Sequence, residues 1–268
     1  MAKWSALIFA LLYFNVYTEA QTIKSIKIPE GFRSTPIELN IFELEDKKNL
    51  KKDSVYNQAI SYFAKPFGNK HGRSTNVHET IHGINNAISN LRKGYRAFFV
   101  GHGRAVWIQE PNITMNDIIP YIPQSVKGYR YNLYFVSQKK SWNSVALYPV
   151  DEWSAYIGGA ESSVDDHNQG VNIKTNFDNV SGSLEFSVYC IALSMAIKEI
   201  DSNYWQENHN FKNCMILFLN KAEKVFFEGK DIFRSNNQND IIHNLQAHKD
   251  CNGMRKFIHQ EFNGVFLR

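Results

Sequence analysis

Hydrophobic residues along the chain change their period several times, and each change marks an element. Residues 21–45 alternate loosely, with Ile23, Ile26 and Ile28, then Ile37, Leu39 and Ile41, separated by polar positions. A period near two predicts strands. Residues 54–68, SVYNQAISYFAKPFG, read as a short helix ended by Pro66 and Gly68. The period then becomes helical. Val77, Ile81, Ile84, Ile88 and Leu91 fall at steps of four and three, one apolar stripe on a predicted helix over 76–93 that Gly94 stops. Residues 95–100 and 105–108 read as two strands joined by the turn Gly101-His102-Gly103-Arg104. Prolines 111, 120 and 123 mark a loop with room for one helical turn. Residues 131–137 and 145–148 look extended, 151–157 look helical with a stop at Gly158-Gly159, and 160–183 read as polar loop. Residues 184–200, 211–227 and 239–262 are apolar at helical spacing. The sum is an α+β class: a small mixed sheet carrying one helix, followed by a helical C-terminal part.

The first twenty residues stand apart. Lys3, an apolar run over 4–13 and the small residue Ala20 have the layout of a secretory signal peptide, and the run is short for a membrane span. The expectation is a signal over 1–20 and one domain over 21–268, secreted or periplasmic, with no stable membrane insertion after cleavage. A chain of 268 residues can bury a core without staples. The net charge of +4 is spread out, with no dense basic block, so nucleic acid is not an expected partner. Three cysteines allow at most one internal bridge; Cys190 and Cys214 fall in apolar helical patterns and read as core, Cys251 lies near a turn, and their spacing fits no metal motif. Asn112 and Asn179 match the N-glycosylation pattern.

The chemistry concentrates in VHETIHGINN, residues 77–86. Beside the apolar stripe runs a second stripe, His78, His82, Asn85 and Ser89, where a solvated helix would carry Lys and Glu. Two histidines at i and i+4 project from one face and can share a tetrahedral Zn²⁺. Glu79 is rotated about 100° from His78, free to face a water on the metal without ligating it. Gly83 costs about 1 kcal/mol against Ala inside a helix, which points to close approach of a neighbouring segment. A catalytic zinc needs a third protein ligand. A histidine six residues after His82 is excluded, because that position is Ile88. Glu152 is favoured: it sits early in a predicted helix after Pro149, among the bulky Trp153, Tyr156 and Ile157. Asp151, His102, Glu185 and the cluster Asp165-Asp166-His167 remain as alternatives.

HETIHGINN followed by DEWSAY resembles the gluzincin branch of the zinc metallopeptidases. Within it, the run His78, Glu79, His82, Asn85, Asn86 is similar to the catalytic domains of anthrax lethal factor and the Pro-Pro endopeptidases. The resemblance covers two short segments. Those relatives usually carry an acidic residue where this chain has Asn85, and a shorter gap to the third ligand, so substrate preference is not carried over. The resemblance implies a zincin-like fold, Zn²⁺ on His78, His82 and Glu152, Glu79 as general base, and a peptide or protein substrate. It also implies a donor for the developing oxyanion, for which Tyr148 is the first choice and Tyr156 the second. The hairpin over 95–108 offers an edge for pairing with extended peptide, while His102 and Arg104 at its tip read more readily as a solvated turn. Two competing expectations are a zinc-dependent amidase acting on a cell-wall polymer and a secreted binding protein without activity; Glu79 argues against the second, since binding alone needs no general base. The sequence leaves the oligomeric state open.

Overall fold

Four strands form one sheet in the order β1–β2–β4–β3, with β1 at Ile23–Lys27, β2 at Glu38–Glu43, β3 at Tyr95–Gly101 and β4 at Arg104–Gln109. The structure is a computed structural model that describes residues 23–27, 38–43, 72–90, 92–171, 178–235 and 238–267, the first two segments as backbone. The expected signal peptide and the expected helix over 54–68 lie outside the described residues. Every strand pair is antiparallel, so the sheet is not mixed. The connections explain two of the three pairs: a two-residue tip joins β3 to β4, and ten residues separate β1 from β2, both too short for the crossover that parallel neighbours need. Gly101, His102 and Gly103 at the tip all have positive φ, and a bulge sits between Phe99 and Gly101.

Helix α1 (Arg73–Ser89) lies on this sheet. It begins near Gly72 and ends before Gly94, whose φ of +79° turns the chain into β3. Its stripe Val77, Ile81, Ile84 and Ile88 packs with Ala97, Phe99, Ala105 and Ala155 into a small apolar core.

The next segment departs from expectation. Residues Tyr131–Ser137 form a π-helix, not a strand, and of residues 145–148, also expected to be extended, 146–147 are turn and Tyr148 opens a helix. A short apolar run does not by itself distinguish strand from helix. Here Tyr131, Tyr134 and Phe135 turn inward together, Tyr134 meeting Phe186 at 5.0 Å and Phe135 meeting Tyr189 at 5.0 Å between ring centroids. Alternation in a strand would send Tyr134 and Phe135 to opposite faces.

Helix α2 (Tyr148–Asn168) runs straight through Gly158-Gly159 and takes in residues expected to be loop. The two glycines are places of close contact. A Cβ on Gly158 would lie 2.2 Å from Ile81 Cδ1, and one on Gly159 would lie 2.7 Å from Asn179 Cγ. They let α1 and helix α3 (Asp178–Ile200) approach α2 from two sides. Helix α3 starts at Asp178, earlier than expected, because buried serines and Gly182 fill its first turns; a Cβ on Gly182 would strike the Tyr156 ring at 2.2 Å. This helix is long and apolar enough to cross a membrane by composition, but 94% of its apolar window is buried within the protein, as suits a central helix apolar on all sides.

Helix α4 (His209–Gly229) packs beside it. The expected helix over 239–262 is two, α5 (Gln238–Ala247) and α6 (Asn252–Glu261), broken by the turn Lys249–Cys251, where Asp250 accepts hydrogen bonds from the Ser125 N–H and hydroxyl. Cys190, Cys214 and Cys251 are buried free thiols. The fold is α+β with helix dominant, and its large apolar core lies among α2, α3, α4 and the C-terminal helices.

Candidate metal site

The polar stripe of α1 faces the first turns of α2. Pro149 occupies the opening turn of α2, where its missing N–H costs nothing and its fixed φ suits a helix start. Asp151 and Glu152 follow, about 100° apart around the axis. That rotation divides them. Glu152 points between the two histidines, while Asp151 passes outside His82.

His78, His82 and Glu152 bring three ligand atoms within 4.8 Å of one another, a group that could hold a metal ion. His82 Nε2 lies 3.2 Å from His78 Nε2 and 3.5 Å from Glu152 Oε2, and His78 Nε2 lies 3.8 Å from the same oxygen. Ligands at about 2.0–2.1 Å in a tetrahedron stand roughly 3.3–3.4 Å apart, so the three atoms need only small adjustments to share one ion.

The proton positions fit the same reading. His82 Nδ1 lies 2.7 Å from Asp151 Oδ2, which accepts its proton and turns Nε2 toward the group, where it can hold a metal or, without one, a proton. For His78, Nδ1 is buried with no hydrogen-bond partner, and so is Nδ2 of Asn179, the side chain that faces the ring. With its Oδ1 turned to the ring, the Asn179 amide would accept from His78 Nδ1–H. Of the two N-glycosylation matches, Asn179 is 4% exposed and lies inside the folded chain, whereas Asn112 is exposed.

Charge is distributed unevenly. Burial and the neighbouring His82 hold the His78 imidazole down at about 3, so it is neutral at pH 7. Burial also works against a charged His82, but Asp151 and Glu152 outweigh it and raise its pKa well above the usual value. Burial opposes the Glu152 carboxylate as well; His82, then His78 and the Tyr148 hydroxyl overcome it and hold the carboxyl at about 2. Two carboxylates therefore draw a cation to His82 Nε2, and without a metal that cation is a proton.

Glu152 is further fixed by two phenols. Tyr148 donates to Oε1 at 2.7 Å and Tyr134 to Oε2 at 3.0 Å. Trp142 stacks on Tyr148 with ring centroids 4.2 Å apart. The Tyr148 hydroxyl thus orients the carboxylate in this structure, and reaching an oxyanion would require it to leave that bond. Tyr156 lies edge-on to His78 with centroids 4.5 Å apart, its hydroxyl 3.4 Å from that of Tyr134. Glu79 is half-buried, one residue round α1 from His78.

The other ligand candidates lie outside the group. Asp151 orients His82 instead of ligating. Glu185 is 1% exposed and paired with Arg130 at 2.9 Å, and Asp166 pairs with Arg73 at 3.4 Å. His102 is exposed at the hairpin tip. The hairpin edge is also engaged. The Phe99 N–H donates to Asn85 Oδ1 at 2.7 Å and the Ala97 N–H to Ser89 Oγ at 2.8 Å, so the outer donors of β3 that a peptide would use are taken by α1. The polar stripe therefore serves two purposes: His78 and His82 face α2, and Asn85 and Ser89 also cap the edge of the sheet.

Sequence reasoning missed Tyr134 and Asn179. Tyr134 sits in the segment read as a strand, and Asn179 in one read as loop. Only the i+1 relation of Asp151 to Glu152 was available to suggest that one carboxylate holds what the other helps to ligate. No protein-family profile matches the chain, and neither curated proteins nor solved structures give a match, so the site stands on its own geometry.

Proposed function

We propose that the chain is a zinc-dependent peptidase of the gluzincin kind, with His78, His82 and Glu152 as metal ligands and Glu79 as general base. The observation that carries this reading is the convergence of Glu152, seventy positions away in sequence, on the two histidines of an HExxH helix. The donor set suits zinc: two imidazole nitrogens and one carboxylate oxygen, with no thiolate in the group.

Zinc held there supplies Lewis acidity and a water acidified toward neutrality. Glu79 takes a proton from the attacking water and returns it to the leaving amine. Asp151 keeps the His82 proton on Nδ1 and steadies the charge that accumulates there. Tyr148 and Tyr134 hold Glu152 in place through both of its oxygens, and Tyr156, buried beside His78, excludes water from the inner wall. An expected N-terminal signal would send the protein to a secreted or periplasmic location, where a peptidase or a cell-wall amidase would serve equally.

The test is Glu79→Gln. It keeps the ligands, so zinc content should stay at the wild-type level while hydrolysis falls by about 10²–10⁴-fold, the usual share of a general base. Assays on a peptide library and on cell-wall sacculi, run in parallel, decide the substrate. Undiminished hydrolysis by Glu79→Gln would contradict the mechanism, and cleavage of sacculi alone would replace peptidase by amidase.

A further inference from the structure

We infer that Asn85 is a positioning residue that fixes the metal site through Asp151 and ties it to the edge of the sheet. Its side chain uses both ends. Nδ2 donates to Asp151 Oδ1 at 2.7 Å and to Ser154 Oγ at 2.8 Å, and Oδ1 accepts the Phe99 N–H at 2.7 Å. The second oxygen of that same Asp151 receives His82 Nδ1–H at 2.7 Å. A continuous line of short hydrogen bonds therefore runs from the backbone of β3 through Asn85 and Asp151 to a ligand of the site. Asn85 is 2% exposed, and its bonds to Ser154 and to the Phe99 N–H are buried, where an unmade one is expensive, while Asp151 sits at the partly exposed end of the line.

An amide is the side chain that meets all these demands at position 85. The partner on α2 is a carboxylate and needs a donor, while the partner on β3 is an N–H and needs an acceptor. Asn has one of each on a single stem. Asp at 85 would keep the acceptor for Phe99 but turn a second carboxylate oxygen toward Asp151. Asp151 would then be pushed off its place, and His82 would lose the bond that sets its tautomer. The Ser154 hydroxyl, which donates to the Asp151 carbonyl at 2.8 Å, closes the ring on the helix side. Nothing in this line touches a reacting atom; Asn85 acts on the metal through two other residues.

The inference rests on the metal reading alone and not on peptide hydrolysis. Its test uses the full chain, zinc added as the chloride, and chelator competition for the zinc dissociation constant, with thermal melting of the metal-free protein alongside. Wild type binding one zinc establishes the metal reading first; a wild type that binds none overturns both. With zinc bound to wild type, Asn85→Asp should weaken affinity by about 10–100-fold, the usual cost of losing a partner of a ligand, and should lower the melting temperature, because a second carboxylate is buried against Asp151. Asn85→Ala should weaken zinc similarly and also lower the melting temperature. Combined with Asp151→Ala, neither variant should add its full effect, since all act along one line. Wild-type zinc affinity in Asn85→Asp, or losses that simply multiply in the double variants, would overturn the inference and leave the metal reading standing.

Discussion

Two buried carboxylates on neighbouring helices, Glu152 on α2 and Glu185 on α3, show opposite ways to satisfy a charge inside a protein. Glu185 has a permanent cation. Arg130 reaches it with its guanidinium at 2.9 Å and its backbone N–H at 2.7 Å, and the Tyr189 hydroxyl adds a bond at 2.5 Å. A Cβ on Gly128 would sit 2.5 Å from the Glu185 carboxyl carbon, so the chain is closed down around a finished pair. Glu152 is surrounded by phenols and imidazoles: Tyr134, Tyr148, His78 and His82. None of these carries a permanent charge; His82 is positive only through the proton it takes up when no metal is bound. Both glutamates are buried and both were candidates for the third ligand. The difference is that one site carries its own positive charge and the other is arranged to receive one.

Three substitutions can break or sharpen this contrast. The largest effect is expected at the finished pair. Glu185→Ala leaves Arg130, 4% exposed, paired with the solvent-exposed Asp178 in place of its buried partner, and should destabilise the protein by up to about 3–5 kcal/mol in urea unfolding. A cost near that of an ordinary surface change would mean Glu185 is not structural. Next is Glu152→Gln, which should lower zinc affinity by about 100-fold or more, or roughly 2.7 kcal/mol, by competition with a chelator. Its metal-free form should melt near wild type, and the rise in melting temperature that zinc gives wild type should disappear. If Glu185→Ala lost zinc as steeply as Glu152→Gln while still folded, the two carboxylates would not differ as described. The smallest is Gly158→Ala. It fills the α1–α2 contact against Ile81, 1% exposed, at a cost of about 1–3 kcal/mol in unfolding free energy, partly offset by better helix propensity. A stabilised variant would show that the close approach carrying His82 to Asp151 is not tight.

Much of α1 was legible from spacing alone, because an amphipathic helix writes its buried face at steps of three and four. Val77, Ile81, Ile84 and Ile88 are all buried as the stripe implies. The β3–β4 hairpin was legible from two apolar runs around a glycine-rich tip. Gly158-Gly159 misled for a physical reason: glycine breaks helices in solution, and it also opens room where helices touch, and only the neighbour Ile81 reveals which applies. The π-helix was hidden because an aromatic run satisfies a strand and a buried helix equally. Within the site, Glu152 was visible as an early helical acid among bulky neighbours. Its division of labour with Asp151 was not, because that depends on how α2 is rotated against α1, a property of packing across the whole interface. The stripe residues Asn85 and Ser89 stood out as polar, but their partners are backbone N–H groups of β3, which carry no sequence signature.

The central claim is that His78, His82 and Glu152 hold one metal ion. Zinc X-ray absorption on the purified, zinc-loaded full chain, with metal content measured on the same sample, tests it most directly. The account predicts one zinc per chain with two imidazole nitrogens and carboxylate oxygen at about 2.0–2.2 Å, and loss of that shell in Glu152→Gln. A chain that retains no stoichiometric zinc, or a coordination shell unchanged by Glu152→Gln, would contradict it.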